Sequence, residues 1–464
     1  MAERFEAGFA VAAAVVLVAS VGAAVAAPGG PPDGRAALEL DRSVPDEYDF
    51  PAPSEALGPA GEGTASVDGR QYDSLRAAVD AAEPGDTVRV DGHVEGPVTV
   101  DTPNVTVAGA SPDDAVVSGD ETGDVLTVAA DGVTVRDVWV RNAGYSTADE
   151  DAAVWVNGAD ATVADARVTD TTFGVWVDGV PDARIENTTI VGRDGVERRS
   201  DRGNGIQLWR ATDARVLDNR VTDARDGVYF SWSSGVRAGG NELWDLRYGV
   251  HYMYSDRNRL ANNTAFGNDV GYALMVSDDL EIVDNVAFDN RGTSGHGVLL
   301  KEVDHSTVAG NDLVGNENGV FVYNSVDDAI ADNLVLANDV GVHLTAGSVR
   351  ERGHGNSFVR NGDAMKAVVG ERVAWNDSDR GNYWSDARPV DVDHDGVSEV
   401  RYQATGALDR LTRSRPATEV FASSPAFDAV RLAGRSVPLA ETPGVVDHHP
   451  LAAPAHDDWR QYYE

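Results

Sequence analysis

Short runs of alternating apolar and polar residues fill most of the chain, which is the pattern of half-buried β-strands. Runs such as GVFVY and AIADN favour Val and Ile and are bounded by Gly, Asn and Asp, the residues of tight turns. The runs recur at a nearly fixed interval. A glycine followed by two alternating apolar residues stands at Gly174, Gly205, Gly227, Gly249, Gly271, Gly297, Gly319 and Gly341, with spacings of 31, 22, 22, 22, 26, 22 and 22.

A second series, an asparagine after a β-like triplet, has the same period. Its members are Asn219, Asn241, Asn263, Asn285, Asn311 and Asn333, with spacings of 22, 22, 22, 26 and 22. Both series lengthen at NRGTSGH, which is therefore a loop insertion within one repeat. Three short strands per repeat, stacked coil on coil, predict an all-β, right-handed parallel β-helix of about 22 residues per coil. The asparagines suit tight turns, where they tolerate left-handed backbone and can form hydrogen-bonded ladders.

The pattern also divides the chain into segments. Residues 1–27, uncharged from position 8 onward, predict a signal peptide or an N-terminal membrane anchor, so we expect an exported protein. Residues 28–70, rich in Pro, Gly, Ala and Glu, predict a disordered linker. A capping helix and a first strand, in YDSLRAAVDAAEPGDTVRV, open the β-helix over residues 71–375. An acidic segment (376–405) follows, and then an irregular C-terminal extension (406–464) that packs on the solenoid or docks a partner.

Composition narrows the classes of function. The chain has no cysteine, which excludes disulfides, thiolate metal sites and cysteine catalysis. Its net charge is −38, from 76 acidic and 38 basic residues. Such a surface repels itself at ordinary ionic strength and is screened in concentrated salt, so it indicates an extreme halophile. The same charge argues against a nucleic-acid partner, because phosphate binding needs clustered basic residues.

Two methionines are predicted to lie side by side on the outside of the solenoid. Positions +1 and +3 after each repeat glycine are apolar and point inward, so positions +2 and +4 point outward. Met253 and Met275 hold position +4 in neighbouring coils, about 4.8 Å apart, with His251 two residues before Met253. Two thioethers and an imidazole suit Cu(I) better than zinc or calcium. His296, in the inserted loop, is placed to close over the pair, whereas His343 is four coils from His251 and too distant.

A metal-free apolar contact surface is the alternative for the methionines. The outward positions are also aromatic, and these residues are Trp176, Trp209, Tyr229 and Phe321, with Trp232 nearby. An exposed apolar face of this size predicts a docking surface for a partner or a sugar, unless another segment of the chain covers it.

An enzyme is not expected. A polysaccharide lyase or hydrolase on this fold would need paired carboxylates on one outward face, or calcium with a basic residue beside the sugar. Between Gly205 and Gly341, positions +2 and +4 contain no Asp or Glu, and Lys301 is their one Lys or Arg. A noncatalytic carbohydrate-binding surface protein is a third hypothesis, favoured by the aromatic residues but leaving the methionine pair unexplained.

The segment DVDHDGVSE matches the first half of an EF-hand calcium loop. Asp391, Asp393 and Asp395 alternate before a glycine that suits the sharp turn, and Glu399 follows. The twelfth position is Tyr402, so the usual bidentate Glu is missing there. The pattern predicts a structural calcium site, with a plain acidic turn as the alternative.

Three segments together resemble the NosD family, the exported accessory proteins of nitrous oxide reductase. They are GVHYMYSDRNRLANNTAFGNDVGYALMVSDDLEIVDN, GNYWSDARPVDVDHDGVSEVRY (381–402) and SSPAFDAVRLAGRSVPLAETPGVVDHHPL (423–451). The family's motif usually ends in PLM, and this chain has PLA, so any role of that methionine is absent.

The resemblance implies a role in maturing the copper–sulfur site of nitrous oxide reductase, through transient handling of Cu(I) or through sulfide insertion. It implies as partners the membrane subunit and the ATPase of an ABC transporter, a copper chaperone lipoprotein, and the reductase. Such a role needs no catalytic residue on this chain.

Overall fold

The computed structural model describes residues 55–193, 195–196, 198–405 and 444–463. Over these residues the chain is an all-β, right-handed parallel solenoid of about 13 turns, with about 23 residues per turn. The predicted fold class is therefore confirmed. The predicted signal peptide or anchor, most of the predicted linker, and residues 406–443 of the C-terminal extension lie outside the described residues. Within the described residues, no helix is long and apolar enough to cross a membrane.

Each regular coil contributes one strand to each of three faces. The long sheet, which contains most of the repeat glycines, has twelve parallel strands. These strands are Val98–Val100, Leu126–Val128, Ala152–Val156, Phe173–Asp178, Ile206–Trp209, Asp226–Ser231, Tyr248–Met253, Val270–Asp278, His296–Asp304, Asn318–Tyr323, Val340–Leu344 and Asp363–Ala367.

The other two faces, here the first and second short sheets, share the strand Thr87–Glu95. The first short sheet continues with Thr106–Ala108, Thr134–Arg136, Thr162–Ala164, Arg184–Glu186, Arg215–Leu217, Arg237–Gly239, Arg259–Ala261, Glu281–Val283, Thr307–Ala309, Ala329–Ala331 and Arg352–His354. The second continues with Ala115–Ser118, Trp139–Arg141, Arg167–Thr169, Thr189–Val191, Arg220–Thr222, Glu242–Trp244, Thr264–Phe266, Val286–Phe288, Asp312–Val314, Leu334–Leu336, Ser357–Val359 and Tyr383–Trp384.

A hairpin and a short helix close the N-terminal end. The helix Leu75–Asp80 begins after Ser74, whose hydroxyl accepts a hydrogen bond from the Ala77 N–H at 3.1 Å, and its apolar side buries into the core. The predicted cap is thus present. The strands Thr64–Val67 and Arg70–Tyr72 pair with each other, and the former also pairs with the first solenoid strand. These pairings satisfy the backbone, so the boundary of the predicted linker at residue 70 is corrected to a position before residue 64.

Inward positions of the long sheet build the core. Val250 and Tyr252, at +1 and +3 after Gly249, are fully buried, and Tyr272 and Leu274 repeat the arrangement in the next coil. The Tyr272 hydroxyl donates a hydrogen bond to a backbone carbonyl at 2.8 Å, which satisfies the polar tip of a buried ring. The predicted inward positions are confirmed for these coils.

Asparagine ladders hold the turns on either side of the second short sheet. In the predicted series, the Oδ1 atom of Asn241 accepts hydrogen bonds from both the backbone N–H and the side-chain amide of Asn219, each at 3.0 Å. A second ladder, not predicted, runs through Asn268, Asn290, Asn316, Asn338 and Asn361. The left-handed residue of the turn is the one before each ladder asparagine, such as Asn262 at φ 58°, instead of the ladder residue itself.

The solenoid ends later than predicted. Tyr383–Trp384 pairs with Ser357–Val359, so the last coil passes beyond residue 375 into the segment predicted as a separate acidic unit. A three-stranded sheet, formed by Arg372–Ala374, Tyr402–Gln403 and Gly444–Asp447, lies at this end. The carboxylate of Asp447 accepts a hydrogen bond from Nε1 of the buried Trp384 at 2.8 Å.

The described part of the C-terminal extension packs back on the solenoid. The 3-10 helix Trp459–Tyr463 buries Tyr462 against apolar side chains of the second short sheet, and the Tyr462 hydroxyl donates a hydrogen bond to Asp312. Two further 3-10 turns, Glu55–Leu57 and Arg199–Asp201, complete the regular structure of the described residues.

Candidate metal site on the long sheet

The two methionines lie at matching positions of adjacent strands. Met253 ends the strand Tyr248–Met253 and is in register with Met275 of Val270–Asp278. Both side chains are half-buried, on the outer side of the sheet. Ser231 and Lys301 are their register neighbours in the flanking coils. The predicted side-by-side arrangement is confirmed, and it leaves each thioether partly accessible from outside.

His251 lies on the same face, two residues before Met253, and is held by a buried carboxylate. Its Nδ1 atom is 3.0 Å from Oδ2 of Asp226, a residue of the preceding coil. Arg247 clamps the same carboxylate, with Nε 2.8 Å from Oδ1 and Nη2 2.5 Å from Oδ2. Tyr229 lies over the imidazole with its ring centroid at 4.6 Å, and Tyr248 meets it edge-on at 5.0 Å.

The other ring nitrogen of His251 is buried and unpaired. Only 8% of the residue is exposed, and among the described residues Nε2 has no hydrogen-bond partner. Because Nδ1 is turned back to Asp226, near the start of the strands, Nε2 is directed away from that end. The register neighbour of His251 in the next coil is Ala273, which offers no hydrogen-bonding side chain. A buried unpaired nitrogen costs stability unless a ligand satisfies it.

Electrostatics keep the imidazole neutral. Burial lowers the pKa of His251, and this effect outweighs the stabilisation of the imidazolium by Asp226. Burial alone would raise the pKa of Asp226, but the hydrogen bonds from His251 and Arg247 together lower it. The cluster therefore holds an ionised carboxylate between a guanidinium and a neutral imidazole. With the Nδ1–H group donating a hydrogen bond to the carboxylate, Nε2 carries the lone pair that a metal ion needs.

His296 does not join the methionines. Its Nδ1 atom is 3.2 Å from the Asn318 side-chain amide, and its ring stacks on Phe321 at 4.5 Å. Both contacts are with the next coil, away from Met275. Burial, together with the nearby His343, lowers the pKa of His296 to about 4. The prediction that His296 closes over the pair is wrong. The inserted loop ends before His296, which is the first residue of its strand, and its side chain contacts the next coil.

The predicted aromatic surface is largely covered. Trp176 is 6% exposed and stacks on Trp155 at 5.0 Å, so it belongs to a local apolar cluster instead of a docking face. Trp209, Tyr229 and Phe321 are half-buried. Trp232, at 54%, is the exposed member of the predicted set.

The acidic loop brings three of its four predicted ligands together. One carboxylate oxygen from each of Asp391, Asp393 and Asp395 lies within 4.8 Å of the others. Glu399 is instead turned to the backbone, where its two oxygens accept hydrogen bonds from the Val392 N–H at 3.0 and 3.1 Å. The cluster therefore offers three carboxylates, and Glu399 braces the loop.

Asp226 and Arg247 escape prediction from the outward columns because they lie just before repeat glycines. Asp226 precedes Gly227, and Arg247 lies two residues before Gly249. Asp226 is buried because it contacts Arg247 and His251 of the next coil. Finding this contact from the sequence would have required the register of the two strands as well as the repeat period.

Comparison with known proteins places the chain in a family. The profile described as "Periplasmic copper-binding protein (NosD)" matches residues 186–389. The "Probable ABC transporter binding protein NosD" of Pseudomonas aeruginosa is 40% identical over 353 residues, which cover 73% of this chain and 82% of that protein. This chain belongs to the NosD family.

A second NosD relative, from Stutzerimonas stutzeri, carries the same description and is 38% identical over 354 residues, covering 73% of this chain and 80% of that protein. Among solved structures, the Dettilon tailspike protein is 16% identical with a TM-score of 0.48, covering 60% of this chain and 62% of that one. The matched family segment includes the methionine pair, His251 and its supporting carboxylate.

Proposed function

We propose that this chain is an exported accessory protein that holds Cu(I) as cargo during maturation of the copper–sulfur site of nitrous oxide reductase. The observation that carries the proposal is the buried, unpaired Nε2 of His251, two residues from a methionine pair in register. Membership of a family described as periplasmic and copper-binding supports both the metal and the extracytoplasmic location.

The chemistry of the donors fits this cargo. Thioether sulfur is a soft ligand that selects Cu(I), and a neutral imidazole is a common further ligand. Asp226 fixes the proton of His251 on Nδ1, so that Nε2 of His251 and the sulfurs of Met253 and Met275 would hold the ion. The methionines are half-buried on a rigid sheet, so an ion held there could pass to a partner without unfolding of the coil.

The partners follow from the family. Relatives are described as ABC transporter binding proteins, which supports association with the membrane subunit and the ATPase of such a transporter. A copper chaperone lipoprotein would supply the ion, and nitrous oxide reductase would receive it. This accessory role needs no catalytic residue. A role in sulfide insertion would involve the same partners. A metal titration distinguishes the two roles, because only copper handling requires this chain to bind Cu(I).

The test is a competition titration of the mature protein with Cu(I) against a chelator of known affinity. The double variant Met253→Leu, Met275→Leu keeps the volume and removes both sulfurs, so we expect its affinity to fall by at least about tenfold. Met365→Leu, which alters a core methionine, is the matched control and should bind as the wild type does. Equal affinity of the double variant and the wild type would show that the pair is apolar contact surface.

We also propose that Asp391, Asp393 and Asp395 hold calcium as a structural ion. Hard carboxylate oxygens are the donors that calcium prefers, and three of them converge in one loop. Waters or carbonyl groups would complete the coordination, since Glu399 is engaged with the backbone.

A further inference from the structure

One corner of the solenoid, between the long sheet and the first short sheet, changes its charge along the axis. Three successive turns there read RATDAR (210–215), WSSGVR (232–237) and YSDRNR (254–259), with five arginines and two aspartates, a net charge of +3. The next three turns, VSDDLE (276–281), EVDHST (302–307) and NSVDDA (324–329), contain seven acidic residues and no Lys or Arg. In a chain of net charge −38, the first three turns form a basic island.

Arginines of this island stand in register. Arg215, Arg237 and Arg259 are Cα partners in consecutive strands of the first short sheet, and all three are exposed. Neighbouring strands are about 4.8 Å apart, so these like charges repel one another and destabilise the sheet. Arg259 is paired with Glu281, while Arg215 and Arg237 make no ion pair with the described residues. The column is therefore not explained by internal salt bridges.

Two exposed aromatic rings lie in the same turns. Trp232 and Tyr254 are 54% and 43% exposed and stack on each other, with ring centroids 4.5 Å apart and planes 14° from parallel. Both residues have left-handed backbone, at φ 56° and 54°, which is costly for a bulky side chain. The equivalent positions of the neighbouring coils are Arg210, Val276 and Glu302, also left-handed, so the turn accepts varied side chains and does not itself call for two aromatic rings.

We propose that Arg215, Arg237, Arg259, Trp232 and Tyr254, the corner patch, form the docking surface for an acidic partner protein that exchanges copper with the methionine pair. Exposed Trp, Tyr and Arg are the residues that dominate protein interfaces energetically. The inference rests on the proposed copper function, and it names where the partner binds and which charge the partner presents.

The charge distribution of this chain predicts that the partner is acidic. A chain of net charge −38 repels an acidic protein over most of its surface, whereas the corner patch attracts it. In concentrated salt only charges in contact count, so repulsion at other contacts and attraction at this corner would fix the orientation of the bound partner. A basic partner would instead be drawn to many acidic surfaces and would gain no unique orientation from the island.

Position connects the patch to the metal site. Tyr254 directly follows Met253, and the backbone N–H of Trp232 donates a hydrogen bond to the Met253 carbonyl at 3.1 Å. A protein seated on the two stacked rings would therefore lie against the end of the strand that carries Met253. The acidic turns begin one coil further, directly after Met275, so the change from basic to acidic turns falls between the coils of the two methionines.

The test is binding of the copper chaperone lipoprotein of the same organism, prepared without its lipid, to the full mature chain. We expect Arg215→Glu with Arg237→Glu, and separately Trp232→Ala with Tyr254→Ala, to weaken binding by at least about tenfold. Wild-type affinity should fall as KCl is raised, and the charge-reversed variant should lose that dependence. Cu(I) affinity should stay at the wild-type value and the melting temperature should not fall, because both pairs of substitutions leave the methionines and the core intact.

The control combines Arg352→Glu with Tyr323→Ala. Arg352 is exposed in the same strand column four coils beyond Arg259, and Tyr323 is 40% exposed on the long sheet. This variant should bind within about twofold of the wild type. Three outcomes would each overturn the docking inference. The patch variants could bind as tightly as the wild type, the control could lose as much affinity as the patch variants, or the chaperone could fail to bind the wild type. The Cu(I) titration judges the metal site separately in all three cases.

Discussion

Asp328 and Glu351 are two carboxyl groups that the proposed copper site does not use and that the solenoid buries side by side. They are 0% and 3% exposed, in adjacent coils. The Asp328 Oδ1 atom accepts a hydrogen bond from the Ser306 N–H at 2.8 Å, and Glu351 Oε2 accepts one from the Asp328 N–H at 3.1 Å. Among the described residues, the second oxygen of each carboxyl has no partner. Burial, with repulsion from nearby aspartates, raises the pKa of Asp328 to about 7 and that of Glu351 to about 8.

The pair should make stability depend on pH. Because folding raises both pKa values, the folded state favours the protonated acids, so the pair's contribution to stability is full below the ordinary carboxyl pKa values and is lost as pH rises through about 7 to 8. Asp328→Asn supplies a permanently neutral group, and Asn258 already fills the same column two turns below Ser306. We expect the variant to be more stable than the wild type at pH 9 by about 1–4 kcal/mol, measured by denaturant unfolding.

The matched control is Asp327→Asn. Asp327 is partly exposed and paired with Arg350, and its side-chain hydrogen bond to that arginine lowers its pKa. Removing this charge also removes one of the repulsions on Asp328 and Glu351, so the slope between pH 6 and pH 9 should become slightly smaller but should persist. Parallel pH profiles for the wild type and Asp328→Asn would show that the buried acid does not titrate in this range.

At the scale of elements, the asparagine ladder couples each coil to the next. Asn263 Oδ1 accepts hydrogen bonds from the backbone N–H of Asn241 at 3.1 Å and from its side-chain amide at 2.8 Å. Its own amide donates to Asn285 Oδ1 at 2.9 Å and to the Ala238 carbonyl at 3.1 Å. One side chain thus satisfies buried polar groups in both neighbouring coils.

Asn263→Ala should therefore be strongly destabilising. It leaves buried groups of Asn241 and Ala238 without partners, and each such group costs about 1–3 kcal/mol. We expect a loss of about 3 kcal/mol or more in the free energy of unfolding, seen in urea melts. Asn262→Gly, at the exposed left-handed position next to it, should change stability by less than about 1 kcal/mol. If both substitutions lowered the free energy of unfolding by the same small amount, the stabilising role of the ladder would be contradicted.

At the scale of the whole molecule, the acidic loop joins the last coil to the C-terminal extension. Val397 bridges to Leu451, and the Ser398 N–H donates a hydrogen bond to the Pro450 carbonyl at 2.8 Å. Gly396 accepts a further hydrogen bond from the Ala452 N–H at 2.9 Å. An ion that neutralises the three aspartates would therefore stabilise the contact between the last coil and the C-terminal extension.

Chelation should lower the melting temperature. A ligand that binds only the folded state stabilises it, so removal of calcium with EGTA should shift the midpoint downward by a few degrees. The KCl concentration is kept constant, because a net charge of −38 makes stability sensitive to ionic strength. Asp393→Ala should melt lower and show no shift with EGTA. A chelator-independent midpoint in the wild type would leave the loop as a plain acidic turn.

The repeat by itself determined most of the architecture. Matching spacings of Gly and Asn gave the coil length, and strand alternation then fixed which positions face inward. The register of Met253 with Met275 followed from these two periods alone, because one coil separates them with no insertion. Composition likewise indicated the acidic surface. Each of these features depends on local geometry that repeats unchanged from coil to coil.

Only the tertiary structure decided the details of the sites. The contact between Asp226 and His251 joins neighbouring coils through chosen side-chain directions, and the burial of Trp176 depends on Trp155 beside it. His296 turned to Phe321 because the inserted loop breaks the repeat at that point. Side-chain direction, covering segments and insertions depend on non-local packing and desolvation. A periodic pattern carries no information about them, and so the sequence predicted the face on which the methionine pair lies but not the carboxylate that holds the neighbouring histidine.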